Sequence, residues 1–296
     1  MNPKRPSRRT ARRKSSTSKQ DIRNIITTIV FAIALIVGIV SYMHDCSGEL
    51  PLRQNKTRDY DGERLSGHVA DLDMARTPLG RYSQIIRHKG YVVSYNEQWR
   101  LPNWVGYELT IGETQGDVER TDRFETDPYV KGVCSHHSDY THSGYDRGHM
   151  APAADMTWDK QAMTESFYMS NICPQVHGLN AGAWKQLENR VRLWAQEDSA
   201  IIVVCGPIVG ESTVRIGRNG VIVPEKFYKI VVSPYSRHPR GIAFIFNNET
   251  TNDPLYTYAV SIDSVETVTG IDFLYNLPDS LENYIEQNIN LESWQL

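Results

Sequence analysis

Cysteine is scarce in this 296-residue chain, with four residues at Cys46, Cys134, Cys173 and Cys205. Their spacings match no CxxC pair and no HExxH segment is present, so neither a zinc-finger nor a zincin-type centre has its ligands in place. The cluster Cys134, His136, His137, His142 and His149 satisfies none of the standard zinc spacings. No internal repeat or low-complexity stretch follows residue 24, which excludes a repeat array. An excess of positive charge is also missing: the formal net charge is -3.

That small total hides an asymmetry. Residues 1–24 hold nine Lys or Arg (Lys4, Arg5, Arg8, Arg9, Arg12, Arg13, Lys14, Lys19, Arg23) against Asp21. Removing these from 32 basic and 35 acidic residues leaves 23 against 34. Any surface that binds a polyanion must therefore be a local patch.

Charge is absent altogether from Ile25 to Met43, IITTIVFAIALIVGIVSYM. Nineteen helical residues at about 1.5 Å each span roughly 28 Å, close to the hydrocarbon thickness of a bilayer. The stretch reads as one transmembrane helix. It is longer than the apolar core of a signal peptide, and no small-x-small cleavage site follows it. Basic residues before it, and Asp45 and Glu49 after it, predict an N-terminus in the cytoplasm and the remaining chain on the far side. There, disulfides are permitted. The domain organisation expected is a basic tail over 1–24, an anchor over 25–43, a stalk over 44–80 and a catalytic domain over 81–296.

Within that domain, runs rich in β-branched and aromatic residues predict strands over Tyr91 to Tyr95, Trp104 to Ile111, Ala200 to Val209, Phe227 to Val232, Ile242 to Phe246 and Leu255 to Ile262. Trp184, Leu187, Val191 and Trp194 recur at three- and four-residue spacing, which predicts a helix from Ala181 to Glu197. Further helices are expected over Ser264 to Gly270 and Leu281 to Ile289. Strands mixed irregularly with few helices indicate an α+β domain.

Two stretches carry the chemistry. Tyr145-Asp146-Arg147-Gly148-His149-Met150 lies in a region read as a long polar loop, and packs an acid, a guanidinium and an imidazole together. An imidazole titrates near neutrality and can take a proton from water, and a guanidinium can grip a phosphate through two hydrogen bonds. A single loop histidine is, by itself, an ordinary hydrogen-bonding residue. Gly148 offers a backbone path that other residues lack. The second stretch runs from Ser170 to Arg190. Asn180 stands where a helix cap would, and its amide oxygen also suits a hard cation such as Mg²⁺. Glu188 falls two helical turns later, roughly 12 Å along a regular axis, where it would face Lys185 or Arg192.

Together, phrases such as DRGHMAPAADM, FYMSNICPQ and LNAGAWKQLE resemble the DNA/RNA non-specific endonucleases, the ββα-metal group that includes endonuclease G. The resemblance covers roughly Trp104 to Asp279. It implies a ββα-metal nuclease core, a mixed or antiparallel sheet with flanking helices, behind the N-terminal transmembrane helix. It further implies that His149 is the general base, Asn180 the direct ligand of one magnesium ion (Mn²⁺ being a substitute), and Glu188 a carboxylate acting through metal-bound water. Arg147 matches the family's phosphate-stabilising arginine and Asn171 its active-site asparagine. An upstream phosphate-binding arginine is either Arg120 or Arg123. The implied partners are DNA and RNA, cleaved to 5'-phosphate ends, with the lipid bilayer at residues 25–43 and a homodimer left open. The rival is a catalytically inactive, membrane-anchored nucleic-acid-binding protein on the same scaffold.

Overall fold

The apolar runs between turn signals pair edge to edge into one antiparallel sheet. The computed structural model describes Tyr60, Gly62, Leu65 and residues 67–211 and 214–296. Its strands are β1 (Gln84–Arg87), β2 (Val92–Asn96), β3 (Leu101–Thr110), β4 (Asp146–His149), β5 (Ile172–Gln175), β6 (Ala200–Ile208), β7 (Arg215–Ile216), β8 (Val221–Ile222), β9 (Lys226–Ser233), β10 (Arg240–Asn247) and β11 (Ala259–Val260). The α-helices are α1 (Lys160–Ser166), α2 (Lys185–Asp198), α3 (Ile262–Thr269) and α4 (Asp279–Gln287).

The main sheet has the order β1-β2-β3-β6-β9-β10-β11, while β4 and β5 form a separate ribbon, as do β7 and β8. Five of the six expected strands coincide with β2, β3, β6, β9 and β10. Residues alternate between two cores because successive side chains of a strand point to opposite faces. Ile201, Val203 and Cys205 join α2 and the β4–β5 ribbon on one face. Ile202 and Val204 join α3 and α4 on the other. With both faces covered, the interior strands read as continuous apolar runs.

The sixth expected strand, Leu255 to Ile262, is mostly something else. A 3-10 turn occupies Leu255–Tyr258, and only Ala259–Val260 pair as β11. Pro254 opens the turn, with Thr257 Oγ1 donating to the Pro254 carbonyl at 2.7 Å. Ser261 then accepts from the Ser264 N–H and starts α3, so capping chemistry overrides strand propensity here.

The predicted helix over Ala181 to Glu197 divides in two. Leu179–Trp184 form a π-type turn in which Gly182 departs from helical angles (φ -100°, ψ -115°), and regular α-helix begins at Lys185. Trp184, Leu187, Val191 and Trp194 are buried as their spacing requires. Burying each such side chain contributes roughly 1.5–3 kcal/mol.

Part of the expected stalk packs on the domain. Leu72 and Ala75 are buried in the second core, and Arg76 exchanges backbone hydrogen bonds with Asp272. The packed domain thus begins ahead of residue 81. The tail over 1–24 and the anchor over 25–43 lie outside the described residues, and among the described residues no helix is long and apolar enough to cross a membrane. Cys134, Cys173 and Cys205 are free, buried thiols.

Candidate active site

The DRGH segment is a strand, not a loop. As β4 it pairs with β5 in the register Asp146↔Gln175 to His149↔Ile172. Sequence periodicity misses it because four mixed polar residues carry no apolar alternation. Gly148 lies in this strand for a steric reason: a Cβ there would meet Gln175 Oε1 at 2.0 Å. Strand alternation puts Arg147 and His149 on one side of β4. Both line a cleft of about 280 Å³, together with Arg120, Asn180, Lys185, Glu188 and Arg192.

His149 is only 8 % exposed, and its Nε2 has no hydrogen-bond partner. Its ring lies 5.0 Å from Phe167, edge to face, and 5.5 Å from Phe124. Burial among these rings, followed by the positive charge of Arg120, lowers its pKa to about 3, while Asp122 opposes the shift. The imidazole is therefore neutral across the physiological range.

Behind it, Trp184 Nε1 donates to the His149 carbonyl at 3.3 Å. Asn171 is wholly buried and does not reach the cleft. Its Oδ1 accepts from Ala151 N–H at 2.9 Å, and its Nδ2 donates to the Ala151 and Ser166 carbonyls at 2.8 Å each. Asn171, expected as an active-site residue, uses both ends of its amide on the backbone beside the strand end that carries His149.

The two upstream arginines separate clearly. Arg120 lines the cleft, stacks over the Phe167 ring at 5.0 Å and pairs with Asp122 at 2.5 Å. Arg123 is exposed and does not line it. The segment bearing Arg120 is pinned at both ends. Val118 N–H donates to the Thr157 carbonyl, Glu125 bridges Tyr168, and buried Asp127 accepts from Ser170 Oγ and pairs with His88 Nε2. Arg147 donates to the His137 carbonyl through Nε and an Nη at 3.3 and 2.8 Å, and lies over the Phe124 and Tyr140 rings.

Asn180 sits in the π-type turn ahead of α2 and caps nothing through its side chain. Its Nδ2 donates to Asp146 Oδ2 at 2.9 Å, so the amide oxygen is the end left for an ion. The same carboxylate pairs with exposed His177 at 2.8 Å. The break at Gly182 answers the strain expected from a regular helix, because Asn180 and Glu188 line one cleft from two segments.

Glu188 rests on buried polar groups that sequence reasoning did not single out. Asp155, fully buried, takes Arg192 Nη1 at 2.6 Å and Tyr107 Oη at 2.8 Å. Lys229, also fully buried, lies 4.5 Å over the Trp184 ring and donates to the Met150 carbonyl at 3.4 Å. Burial raises the Glu188 carboxyl to about 7; Asp155 adds to the rise, and Lys229 and Arg192 oppose it. The detectable signal was a lysine inside the apolar strand Phe227 to Val232, at the same parity as Phe227 and Val231. Among the described residues, the Cys134 and histidine cluster forms no metal-binding group.

Four basic side chains on one cleft supply the local patch that the acidic balance of the chain demanded. A sequence model described as DNA/RNA non-specific endonuclease matches residues 69–280. Nuclease C1 of Cunninghamella echinulata var. echinulata is 35 % identical over 216 residues, covering 67 % of this chain and 85 % of that protein. Human mitochondrial endonuclease G is 31 % identical over 220 residues, covering 69 % of this chain and 74 % of that protein. The crystal structure of an EndoG/EndoGI complex, concerned with EndoG inhibition, superposes with a TM-score of 0.63 at 31 % identity. The match covers 66 % of this chain and 87 % of that one.

Proposed function

Because the chain belongs to the DNA/RNA non-specific endonuclease family, we propose that it hydrolyses phosphodiester bonds of DNA and RNA with little sequence preference, using His149 as general base and one magnesium ion. The observation that carries this reading is the unpartnered Nε2 of a neutral, buried His149 on a cleft shared by Arg120, Arg147, Asn180 and Glu188.

A phosphodiester repels nucleophiles by its negative charge, so hydrolysis needs an activated water and compensation of that charge. Arg147 and Arg120 grip phosphate oxygens and position phosphorus against His149. The entering phosphate raises the proton affinity of the imidazole that burial and Arg120 hold down. His149 Nε2 then takes the proton of the attacking water. Contacts to phosphate rather than base edges explain weak sequence preference and action on both nucleic acids.

The donor set suits a hard cation. The amide oxygen of Asn180 is unencumbered, Glu188 presents a carboxylate, and magnesium keeps most of its waters and takes few protein ligands. When bound there, magnesium or manganese supplies charge neutralisation and leaving-group assistance, which accounts for 5'-phosphate ends.

The same proposal places residues 25–43 in a lipid bilayer, with the nuclease domain outside the cytoplasm. Protease added to intact cells or spheroplasts should digest that domain; full protection would reverse the orientation. Sedimentation of the soluble domain decides whether a second copy joins it. For the activity, the purified domain should cut circular DNA and RNA with magnesium and stop in EDTA. Binding without cleavage in magnesium and manganese would establish instead a nucleic-acid-binding protein on a nuclease scaffold.

A further inference from the structure

On the sheet face turned away from the cleft, α3 and α4 bring carboxylates together. Asp263 and Glu266 stand one turn apart on α3, and Glu286 lies in the last turn of α4. Each offers one oxygen within 4.8 Å of the others, the sole such group of three among the described residues.

A cluster of acids on a surface is common, but Glu286 is not on the surface. It is 7 % exposed, and its Oε1 has no hydrogen-bond partner. Glu266 is oriented by the Phe273 N–H, which donates to its Oε1 at 2.8 Å. Glu266, Glu282, Asp263 and Asp272 all act electrostatically on the Glu286 carboxyl. Arg76 acts on Glu282, but it is engaged with Asp272 at 3.4 Å and with the Tyr275 ring.

A carboxyl buried among other acids either keeps its proton or ionises beside a counter-charge, which a bound cation supplies. Calcium takes six to eight oxygen ligands at roughly 2.3–2.6 Å, so two of its ligands stand at most about 5 Å apart. Three oxygens within 4.8 Å of one another fit that sphere. Magnesium demands a tighter octahedron and parts reluctantly with water. We propose that Asp263, Glu266 and Glu286 bind a calcium-class divalent cation, which joins α3 to α4 and steadies the domain from the side opposite the nuclease cleft.

The test uses the full chain carrying Asn180→Ala, which weakens cation binding in the cleft, so that the carboxylate substitutions isolate the response of the α3–α4 cluster. After chelator treatment, millimolar Ca²⁺ should raise the Tm by several degrees, Mg²⁺ should raise it less, and calorimetric titration should show one Ca²⁺ site. Adding Glu286→Gln, which keeps shape but removes the charge, should weaken binding by about tenfold or more and abolish the Tm rise. Should that variant fold poorly, Asp263→Asn replaces it, and titration of the Asn180→Ala chain still decides. No Ca²⁺ binding to that chain, an equal response to Mg²⁺, or a response untouched by either carboxylate substitution would overturn the proposal.

Discussion

Asn180 Nδ2 donates to Asp146 Oδ2 across 2.9 Å, tying the turn ahead of α2 to the first residue of the strand that carries His149. The bond orients an amide that would otherwise present either end to the cleft. Asp146→Ala should therefore raise the magnesium concentration needed for half-maximal cleavage while leaving His149 in place. An unaltered magnesium titration would remove the orienting role. Asn180→Ala should show the larger rise in metal requirement and lower activity at saturation.

His149→Ala should lower turnover by about 10²- to 10⁴-fold with nucleic-acid binding retained, since general-base catalysis is worth that much. Single-turnover cleavage and a filter-binding assay separate the two quantities. Unchanged cleavage would require another base.

Asn171 should behave differently. Its amide makes three hydrogen bonds to the backbone of Ala151 and Ser166, so Asn171→Ala leaves buried polar groups unmatched, at a cost of about 1–3 kcal/mol each. We expect a lowered Tm and reduced turnover with the metal titration unmoved. A shift in metal dependence at native stability would instead place Asn171 at the ion.

In the metal-free protein, Glu188 gives the stability profile a defined slope. Its folded pKa of about 7 lies above the ordinary value of 4.5, so its contribution is fully present below pH 4.5 and is lost as pH rises through about 7. Melting curves in EDTA should fall over that window by several degrees more in wild type than in Glu188→Gln, given roughly 2–4 °C per kcal/mol for a domain of this size. Parallel profiles would show that Glu188 is not so perturbed.

Lys229→Met should destabilise the domain by about 3–5 kcal/mol, because Glu188 and Asp155 would keep Arg192 alone as a nearby cation. Denaturant unfolding measures this directly. A neutral substitution would mean that Lys229 merely fills space against Trp184.

The sequence made the sheet legible wherever strands were long and β-branched, and its motifs single out His149, Asn180 and Glu188, which line one cleft. What it concealed has physical causes. β4 and β5 are four-residue strands held by each other rather than by apolar periodicity. Asn171 sits in a motif next to the site, but only tertiary structure shows its amide turned to the backbone. Asp155 and Lys229 support Glu188 from distant points in the chain, and no local pattern joins residues brought together by sheet register. The choice between Arg120 and Arg123 likewise waits on which side of one short segment faces the cleft.

Lys229 has a wider consequence because β9, which carries it, lies inside the main sheet between β6 and β10. The backbone amides beneath the cleft should be among the last to exchange with deuterium, since local openings begin at edges and loops and reach interior strands only with global unfolding. The electrostatic floor of the site is thus set by the most slowly opening part of the molecule. Breathing of the peripheral strands β1 and β11 can admit solvent at the rims without releasing the charges that hold Glu188.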